Sequence, residues 1–244
     1  MKNPTNMNPR PEPACCSKYP QSERTVIARL IGASKIFHSG KTEIIALHKT
    51  DLELKKGELI LVVGPSGSGK TTLLSLLGCV LYPTEGCVCI KGVRTTDLND
   101  RQMAELRLKN IGFVFQNFNL ITPLNAEENI RVPMLLNGFS KEIISQKIKK
   151  TLKLLGIQHR SKSMPSQLSG GEQQRVAIAR AIVNDPTAAL DIKSIEIVLQ
   201  ELRKLADAGK AVAVVTHDLR LTGYADKIIN IENGRVLQEN KESQ

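Results

Sequence analysis

The sequence predicts an α/β fold, and three observations support this prediction. The apolar run from Leu59 to Val63 shows no alternation and suits a strand that is buried on both faces of a sheet. A glycine-rich loop follows immediately, and Lys70 to Leu77 then has the pattern of a helix that ends at Gly78. Further strands and helices follow along the chain, so we expect a sheet covered by helices.

The elements outside this unit are predicted from short apolar runs and from helical spacing. The predicted strands are Val26 to Ile31, Glu43 to Leu47, Cys87 to Ile90, Ile111 to Phe115, Lys210 to Val215, Lys227 to Ile231 and Arg235 to Leu237. The predicted helices are Asp100 to Lys109, a helix capped by Ser140 and closed by Gly156, Gln173 to Val183, and Ile192 to Ala208. Asn233-Gly234 joins the last two strands and is the strongest short hairpin signal.

Length and composition limit the class of protein. A chain of 244 residues suffices for one large domain, or for one domain with an inserted subdomain. Residues 1–24 are rich in Pro, Asn and Ser and are expected to form a disordered tail. No apolar run is long enough to cross a bilayer and no signal peptide is visible, so we expect a cytoplasmic chain. The five cysteines show no C-x-x-C spacing, which predicts reduced thiols.

The net charge of +10 leaves three interpretations open: a nucleic-acid partner, an anionic membrane surface, or a solvated exterior. Aromatic residues make up 3% of the chain and Trp is absent, which argues against platforms for stacking bases. No zinc finger or RNA-binding signature is present. We interpret the charge as a solvated surface near a membrane.

The glycine-rich loop matches the pattern G-x-x-x-x-G-K-[ST]. It consists of Gly64, Pro65, Ser66, Gly67, Ser68, Gly69, Lys70 and Thr71. Small residues let successive backbone N–H groups converge on phosphate oxygens at the start of a helix. Lys70 is expected to reach the β- and γ-phosphates, and the Thr71 hydroxyl is expected to bind Mg²⁺. The strand before the loop and the helix after it supply the context that this motif requires.

A second motif, Leu168-Ser169-Gly170-Gly171-Glu172-Gln173-Gln174-Arg175, follows about a hundred residues later. With the first motif, it makes the chain resemble the ATP-binding subunit of an ABC transporter from about Val26 to Gln238. The resemblance implies a P-loop NTPase (RecA-like) core, with an N-terminal antiparallel β subdomain and an inserted α-helical subdomain at about 117–167. The ATP-binding domain would then span 25–240.

The resemblance also implies roles for individual residues. Phe37 lies where this family stacks an aromatic ring on adenine, and Thr72 joins the residues of the loop that bind the nucleotide. Gln116 would contact Mg²⁺ and the attacking water, and His217 would contact the γ-phosphate. Ser169, Gly170 and Gly171 would close over a γ-phosphate held by a second subunit, while Leu190-Asp191 would lie in the loop that links the two subunits.

The implied cofactors are ATP and Mg²⁺. The implied partners are a second copy of the chain and a transmembrane permease, with the protein peripheral on the inner face of the cell membrane and without nucleic acid. The stretches 112–120 and 125–130 look most like the lipoprotein-release and macrolide-export group.

The sequence departs from this family in one place. An apolar strand ending in Asp-Glu should precede the Pro-Thr-x-x-Leu-Asp stretch, where the Asp holds Mg²⁺ and the Glu polarises the attacking water. Here Asn184-Asp185-Pro186 runs directly into Thr187, so the chain is short by about eight residues against that pattern. The sequence therefore predicts a deleted core strand next to the strand that feeds the phosphate loop. It also predicts strongly impaired hydrolysis, since Asp191 is already assigned to the linking loop.

The missing strand would cost stability as well. Four or five large apolar side chains, at about 1.5–3 kcal/mol each, amount to roughly 10 kcal/mol, which rivals the stability of a whole domain. The chain therefore repacks its sheet, depends on a partner, or is marginal. Three functions stay open: a transporter ATPase subunit, an ATP-binding regulatory or structural subunit (or a truncated non-functional copy), and a DNA-associated ABC ATPase suggested by charge alone.

Overall fold

The computed structural model describes residues 26–40, 42–114, 118–184, 187–191, 196–215 and 219–240. The strands are β1 (Val26–Ser39), β2 (Thr42–Lys55), β3 (Leu59–Val63), β4 (Glu85–Ile90), β5 (Val93–Arg94), β6 (Ile111–Val114), β7 (Thr187–Asp191), β8 (Val212–Val215), β9 (Lys227–Glu232) and β10 (Arg235–Asn240). The α-helices are α1 (Lys70–Leu77), α2 (Asp100–Asn110), α3 (Ala126–Leu136), α4 (Lys141–Leu154), α5 (Gly170–Ile182) and α6 (Glu196–Asp207). The predicted tail, residues 1–24, lies outside the described residues.

The strands form two sheets. The first is antiparallel and has the order β2-β1-β4-β5. The second has the order β10-β9-β3-β8-β7-β6, with parallel pairing from β9 to β6 and an antiparallel hairpin at β9-β10. This arrangement confirms the predicted α/β core and the antiparallel subdomain at the N-terminal side.

The larger sheet has a strand at the position where the sequence predicted a gap. Strand β7 pairs with β6 on one side and with β8 on the other, and Asp191, its last residue, lies opposite Val215. The prediction that a core strand is missing is therefore wrong for the sheet, and Asp191 belongs to a strand rather than to the linking loop. The expected neighbour was wrong as well, because β3 pairs with β8 and β9. The sequence left three outcomes open for the short chain: a repacked sheet, dependence on a partner, or marginal stability. The structure has the repacked sheet, in which residues 187–191 form the strand.

The backbone groups of the neighbouring strands explain why residues 187–191 form a strand. Strands β6 and β8 would each leave a row of N–H and C=O groups unpaired inside the protein if the slot between them were empty, which is costly. Residues 187–191 satisfy those groups although Ala188 and Ala189 have low strand propensity.

Helices α3 and α4 lie within residues 117–167, which the sequence predicted to be a helical subdomain, and both contact α5. Buried Asn129 holds the segment before α3 in place. The Asn129 Oδ1 accepts from the Ile121 amide at 2.8 Å, and the Asn129 Nδ2 donates to the Leu124 carbonyl at 2.8 Å. Arg180 of α5 donates to the carbonyls of Phe118 and Asn119, both at 2.8 Å. Helix α5 therefore anchors the segment that leads into the subdomain.

Two apolar cores flank the larger sheet. Ile60 and Val62 of β3 face the core that contains α1, whereas Leu59, Leu61 and Val63 face the core shared with the helical subdomain. All five side chains are buried, so β3 is covered on both faces, as its unbroken apolar sequence predicted.

The cysteines are not all reduced, as the sequence predicted they would be. Cys79 is free and buried, and burial raises its pKa to about 12, which leaves it protonated and unreactive at neutral pH. Cys87 and Cys89 of β4 are disulfide-bonded, so the prediction of reduced thiols holds for Cys79 only among these three.

Among the described residues, no helix is long and apolar enough to cross a membrane.

Candidate nucleotide-binding site

The phosphate loop connects β3 to α1 at the carboxyl edge of the larger sheet. Gly64 and Gly69 are required there, since both have positive φ (+151° and +105°) and no room for a side chain. A Cβ on Gly64 would lie 2.2 Å from the Ile231 carbonyl oxygen, and one on Gly69 would lie 2.3 Å from the Ala46 carbonyl oxygen. The loop is thus clamped between β2 and β9.

The polar groups of the loop point to an anion. Lys70 is buried, and its Nζ donates to the carbonyls of Gly64 at 2.9 Å and Pro65 at 2.6 Å. The Ser68 hydroxyl is buried as well and has no hydrogen-bond partner among the residues that the structure describes. An unpaired buried hydroxyl is costly, and a phosphate oxygen would satisfy it.

The start of α1 leaves its amides open to a ligand. Its N-cap is Gly69, which makes no side-chain capping bond, and its first turn contains no acidic residue. The mouth of the loop faces solvent, because Pro65, Ser66 and Gly67 are exposed. Thr71 is exposed and Thr72 is half-buried at the first turn. The unsatisfied amides and the helix dipole make this end a site for phosphate.

Phe37 lies on the hairpin that touches the loop. It pairs with Ile44 of β2, two residues before Ala46, whose carbonyl lies against Gly69. Its ring is 40% exposed, and the Lys35 Nζ lies 5.3 Å from the ring centroid. An exposed aromatic ring beside a phosphate loop is a surface on which a base can stack.

The second motif forms the start of α5. Ser169 is the N-cap, and Glu172 completes a capping box: its Oε2 accepts from the Ser169 amide at 2.8 Å and from the Ser169 hydroxyl at 2.9 Å. Its other oxygen, Oε1, accepts from the Arg160 Nε at 2.7 Å. The pKa of the Glu172 carboxyl is lowered to about 2, first by the Ser169 amide and then by Arg160 and the Ser169 hydroxyl. Glu172 is therefore ionised at neutral pH.

The two glycines of this motif are not required by the fold of one copy. Both are helical, and no described heavy atom lies within 4 Å of a Cβ placed on Gly170. A Cβ on Gly171 would meet only the Arg175 side chain, at 3.8 Å. Glycine in a helix costs about 1 kcal/mol relative to alanine, so these two residues leave an open surface at a cost in stability.

Two of the predicted site residues, Gln116 and His217, lie outside the described residues. For Asp191 the sheet register gives a position: Asp191, Val215 and Val62 form one row across β7, β8 and β3, two residues before Gly64. Among the described residues, no group of three or more His, Cys, Asp or Glu side chains is arranged to hold a metal ion.

Sequence reasoning missed Arg160 and the role of Glu172. The signal for Glu172 was present, since Ser169 followed three residues later by Glu is the capping-box pattern. Arg160 lies in a short 3₁₀ turn, Gln158–Arg160, and no sequence pattern connects it to residue 172.

The fold and the two motifs define a nucleotide-binding cassette of the P-loop class. The sequence profile of the ABC transporter family matches residues 47–190, more than half of the chain. An uncharacterized ABC transporter ATP-binding protein of Thermotoga maritima is 41% identical over 218 residues, which cover 86% of this chain and 93% of that protein. The macrolide export ATP-binding/permease protein MacB 2 of Aeromonas hydrophila is 39% identical over 221 residues, which cover 87% of this chain and 34% of that protein.

A solved structure gives the same result. The dimeric post-hydrolysis state of the ATP-binding cassette MJ0796 from Methanocaldococcus jannaschii, bound to ADP and Pi, has a TM-score of 0.82 at 37% identity. The match covers 89% of this chain and 100% of that chain. The chain belongs to the ABC transporter family and is an ATP-binding subunit.

Proposed function

We propose that this chain binds Mg-ATP at the phosphate loop and couples ATP-driven dimerisation to a separate transmembrane permease of the lipoprotein-release or macrolide-export type. The observation that carries the nucleotide site is the loop between β3 and α1. There a buried lysine and an unpaired buried hydroxyl face a helix end without a cap. Phosphates bind Gly64 to Thr72, and adenine stacks on Phe37.

The metal site is assigned to Thr71 and Gln116 together with phosphate oxygens. Hydroxyl, amide and phosphate oxygens are donors that Mg²⁺ accepts, so the residues fit this ion. Held by Thr71 and Gln116, Mg²⁺ would neutralise negative charge on the phosphates. The position of Asp191 at the carboxyl end of β7 adds a candidate carboxylate. Asp191→Asn should then weaken the Mg²⁺ affinity of the ATP complex, and Asp185→Asn, a carboxylate before this strand, should not.

Dimerisation is proposed from the start of α5. Ser169, Gly170 and Gly171 are assigned to the γ-phosphate held by a second copy. The open space around both glycines supports this assignment, since the fold of a single copy gives no reason for them.

The permease is proposed to dock on the helical subdomain. Five large apolar residues are exposed there, namely Ile121, Leu135, Leu136, Ile143 and Leu154. Asn129 holds the segment of Ile121 in place. Leu136→Asp should reduce co-purification with a co-expressed permease from membranes. Leu237→Asp, at a similarly exposed leucine on β10, is the matched control and should not.

Turnover is proposed to be strongly impaired. Strand β7 refills the sheet but ends at Asp191 followed by Ile192, so it carries no Glu to polarise the attacking water. His217 remains as the residue assigned to the γ-phosphate. A hydrolysis-deficient regulatory subunit that binds ATP and dimerises is therefore the second candidate, favoured by this strand end.

A titration with a fluorescent ATP analogue tests the nucleotide site. Lys70→Ala should weaken binding by about 10- to 100-fold, because the ammonium group makes charge-assisted bonds to the phosphates. Lys91→Ala, on an exposed turn after β4, is the control. Equal affinity of wild type and Lys70→Ala would contradict the assignment. Recovery of DNA with a steep salt dependence, in place of a permease, would favour the nucleic-acid alternative.

A further inference from the structure

The capping of α5 places a negative charge at the end of the helix that is proposed to receive a phosphate. Glu172 lies in the first turn, and its side chain is 11% exposed. A carboxylate stabilises the start of a helix, but it also repels a phosphate that approaches the same amides. The bare start of α1 has no such conflict, since its first turn contains no acidic residue.

Arg160 offsets this charge from outside the helix. Its Nε lies 2.7 Å from the Glu172 Oε1, and its side chain is 43% exposed at the surface of the subunit. His159, the residue before it, has its Nε2 3.8 Å from the same oxygen. Arg160 is the cation in hydrogen-bond contact with Glu172 among the described residues.

The other oxygen of Glu172 holds Ser169. The hydroxyl of Ser169 donates to Oε2 and accepts from the Glu172 amide, so its rotamer is fixed before any ligand arrives. The capping box engages the amides of residues 169 and 172 and leaves those of Gly170 and Gly171, which have no partner within the helix. The one proton of the Ser169 hydroxyl is held by Glu172, so the amides of Gly170 and Gly171 are the donors that this exposed helix start offers to a phosphate.

We propose that Glu172 and Arg160 are a pair of positioning residues for the nucleotide of the partner subunit: Glu172 orients Ser169, and Arg160 cancels the charge that Glu172 brings to the phosphate site. This inference rests on the proposed ATP-driven dimer. It goes beyond that proposal because Arg160 lies outside the signature and is needed in trans, for the ATP bound by the other copy.

The test measures the dimerisation constant of the full chain in saturating Mg-ATP by analytical ultracentrifugation. Arg160→Ala should weaken the dimer by about three- to tenfold, because Glu172 is left without its counter-charge. Glu172→Gln in the Arg160→Ala background should restore it, since the amide oxygen of Gln still accepts from Ser169 and carries no charge. Lys162→Ala is the matched control: it removes a neighbouring positive charge that pairs with Glu127 at 2.9 Å, and the dimer should keep its affinity.

Two further measurements distinguish a failure of this inference from misfolding of a variant and from a failure of the proposed function. ATP affinity at low protein concentration reports the phosphate loop of the same copy and should be equal in all variants. Glu172→Ala should weaken the dimer even with Arg160 intact, because the capping box that fixes the start of α5 is lost. The inference is overturned if Arg160→Ala dimerises like wild type, or if the double variant stays as weak as Arg160→Ala. A wild type that binds ATP but never dimerises overturns the proposed dimer itself.

Discussion

The two helix ends that are assigned to phosphate differ in how each is built. Helix α1 begins at a glycine without a capping bond, and Gly69 is forced by the backbone of β2. Helix α5 begins at Ser169 with a complete capping box, and its glycines have open space around them. The first end leaves its amides uncapped beside a buried lysine. The second is capped at residues 169 and 172 and leaves the amides of its two glycines at an exposed surface.

This difference shows how the same physics serves two tasks. An uncapped helix end with a buried lysine binds an anion strongly and locally. A capped end cannot hold a free anion as well, because two of its amides and its hydroxyl are engaged. In the proposed dimer it contributes when a second copy presents a phosphate that is already held elsewhere, so that ATP binding and dimerisation become one event.

The largest expected effect concerns the general base that polarises the attacking water, which neither helix end supplies. Insertion of about eight residues, an apolar strand ending in Asp-Glu, between Pro186 and Thr187 should raise steady-state ATP hydrolysis by about 10²- to 10⁴-fold. The same insertion ending in Asn-Gln should pack in the sheet in the same way without raising hydrolysis. Both insertions should raise the thermal unfolding temperature, since larger apolar side chains would replace Ala188 and Ala189 in the sheet. Phosphate release measures the first effect.

The turnover prediction has a clear contrary outcome. Robust hydrolysis by the unmodified chain, abolished by Lys70→Ala, would mean that another residue polarises the water.

The next effect separates the two sets of glycines. Gly69→Ala should destabilise the isolated subunit by about 3 kcal/mol, because alanine is strained at φ +105° and its Cβ would collide with the Ala46 carbonyl. It should also abolish ATP binding. Urea unfolding and a nucleotide titration measure both. An unfolding free energy equal to that of wild type would show that the loop is not clamped as described.

Gly170→Ala should give the opposite pattern. The isolated subunit should gain up to about 1 kcal/mol in unfolding free energy, since alanine is the better helix former. Its own ATP affinity should not change. The ATP-driven dimer should weaken, because a methyl group would stand where the phosphate of the other copy approaches. A stabilised variant that still dimerises normally would remove the main support for the interface.

The smallest expected effect is on the free energy of unfolding at acidic pH. The pKa of Glu172 is lowered from its ordinary value of 4.5 to about 2, so its ionised form stabilises the folded state above pH 4.5. This contribution should be lost as the pH falls from 4.5 towards about 2. Glu172→Gln should lack this part of the pH dependence of the unfolding free energy. Parallel curves for the two proteins between those pH values would contradict the lowered pKa.

Local chemistry was sufficient for much of this fold. The helix Lys70–Leu77, the cap at Ser140 and the hairpin at Asn233-Gly234 appear in the structure as the sequence predicted. Each depends on residues within a few positions of one another: a glycine that allows a positive φ, a hydroxyl that caps a helix, or an unbroken apolar run. The phosphate loop and the signature were found for the same reason, as were Lys70 and Ser169 within them.

The state of residues 187–191 was decided by the tertiary structure. The resemblance assigned Leu190-Asp191 to a loop, and two alanines give little reason for a strand, yet residues 187–191 pair with β6 and β8. The contact of Arg160 with Glu172 has the same origin, because it joins two elements twelve residues apart. The sequence by itself determined the features that depend on residues close together in the chain, such as turns, helix caps and buried strands. Strand pairing and ion pairs between distant elements depend on which residues the fold brings together, so only the tertiary structure decided them.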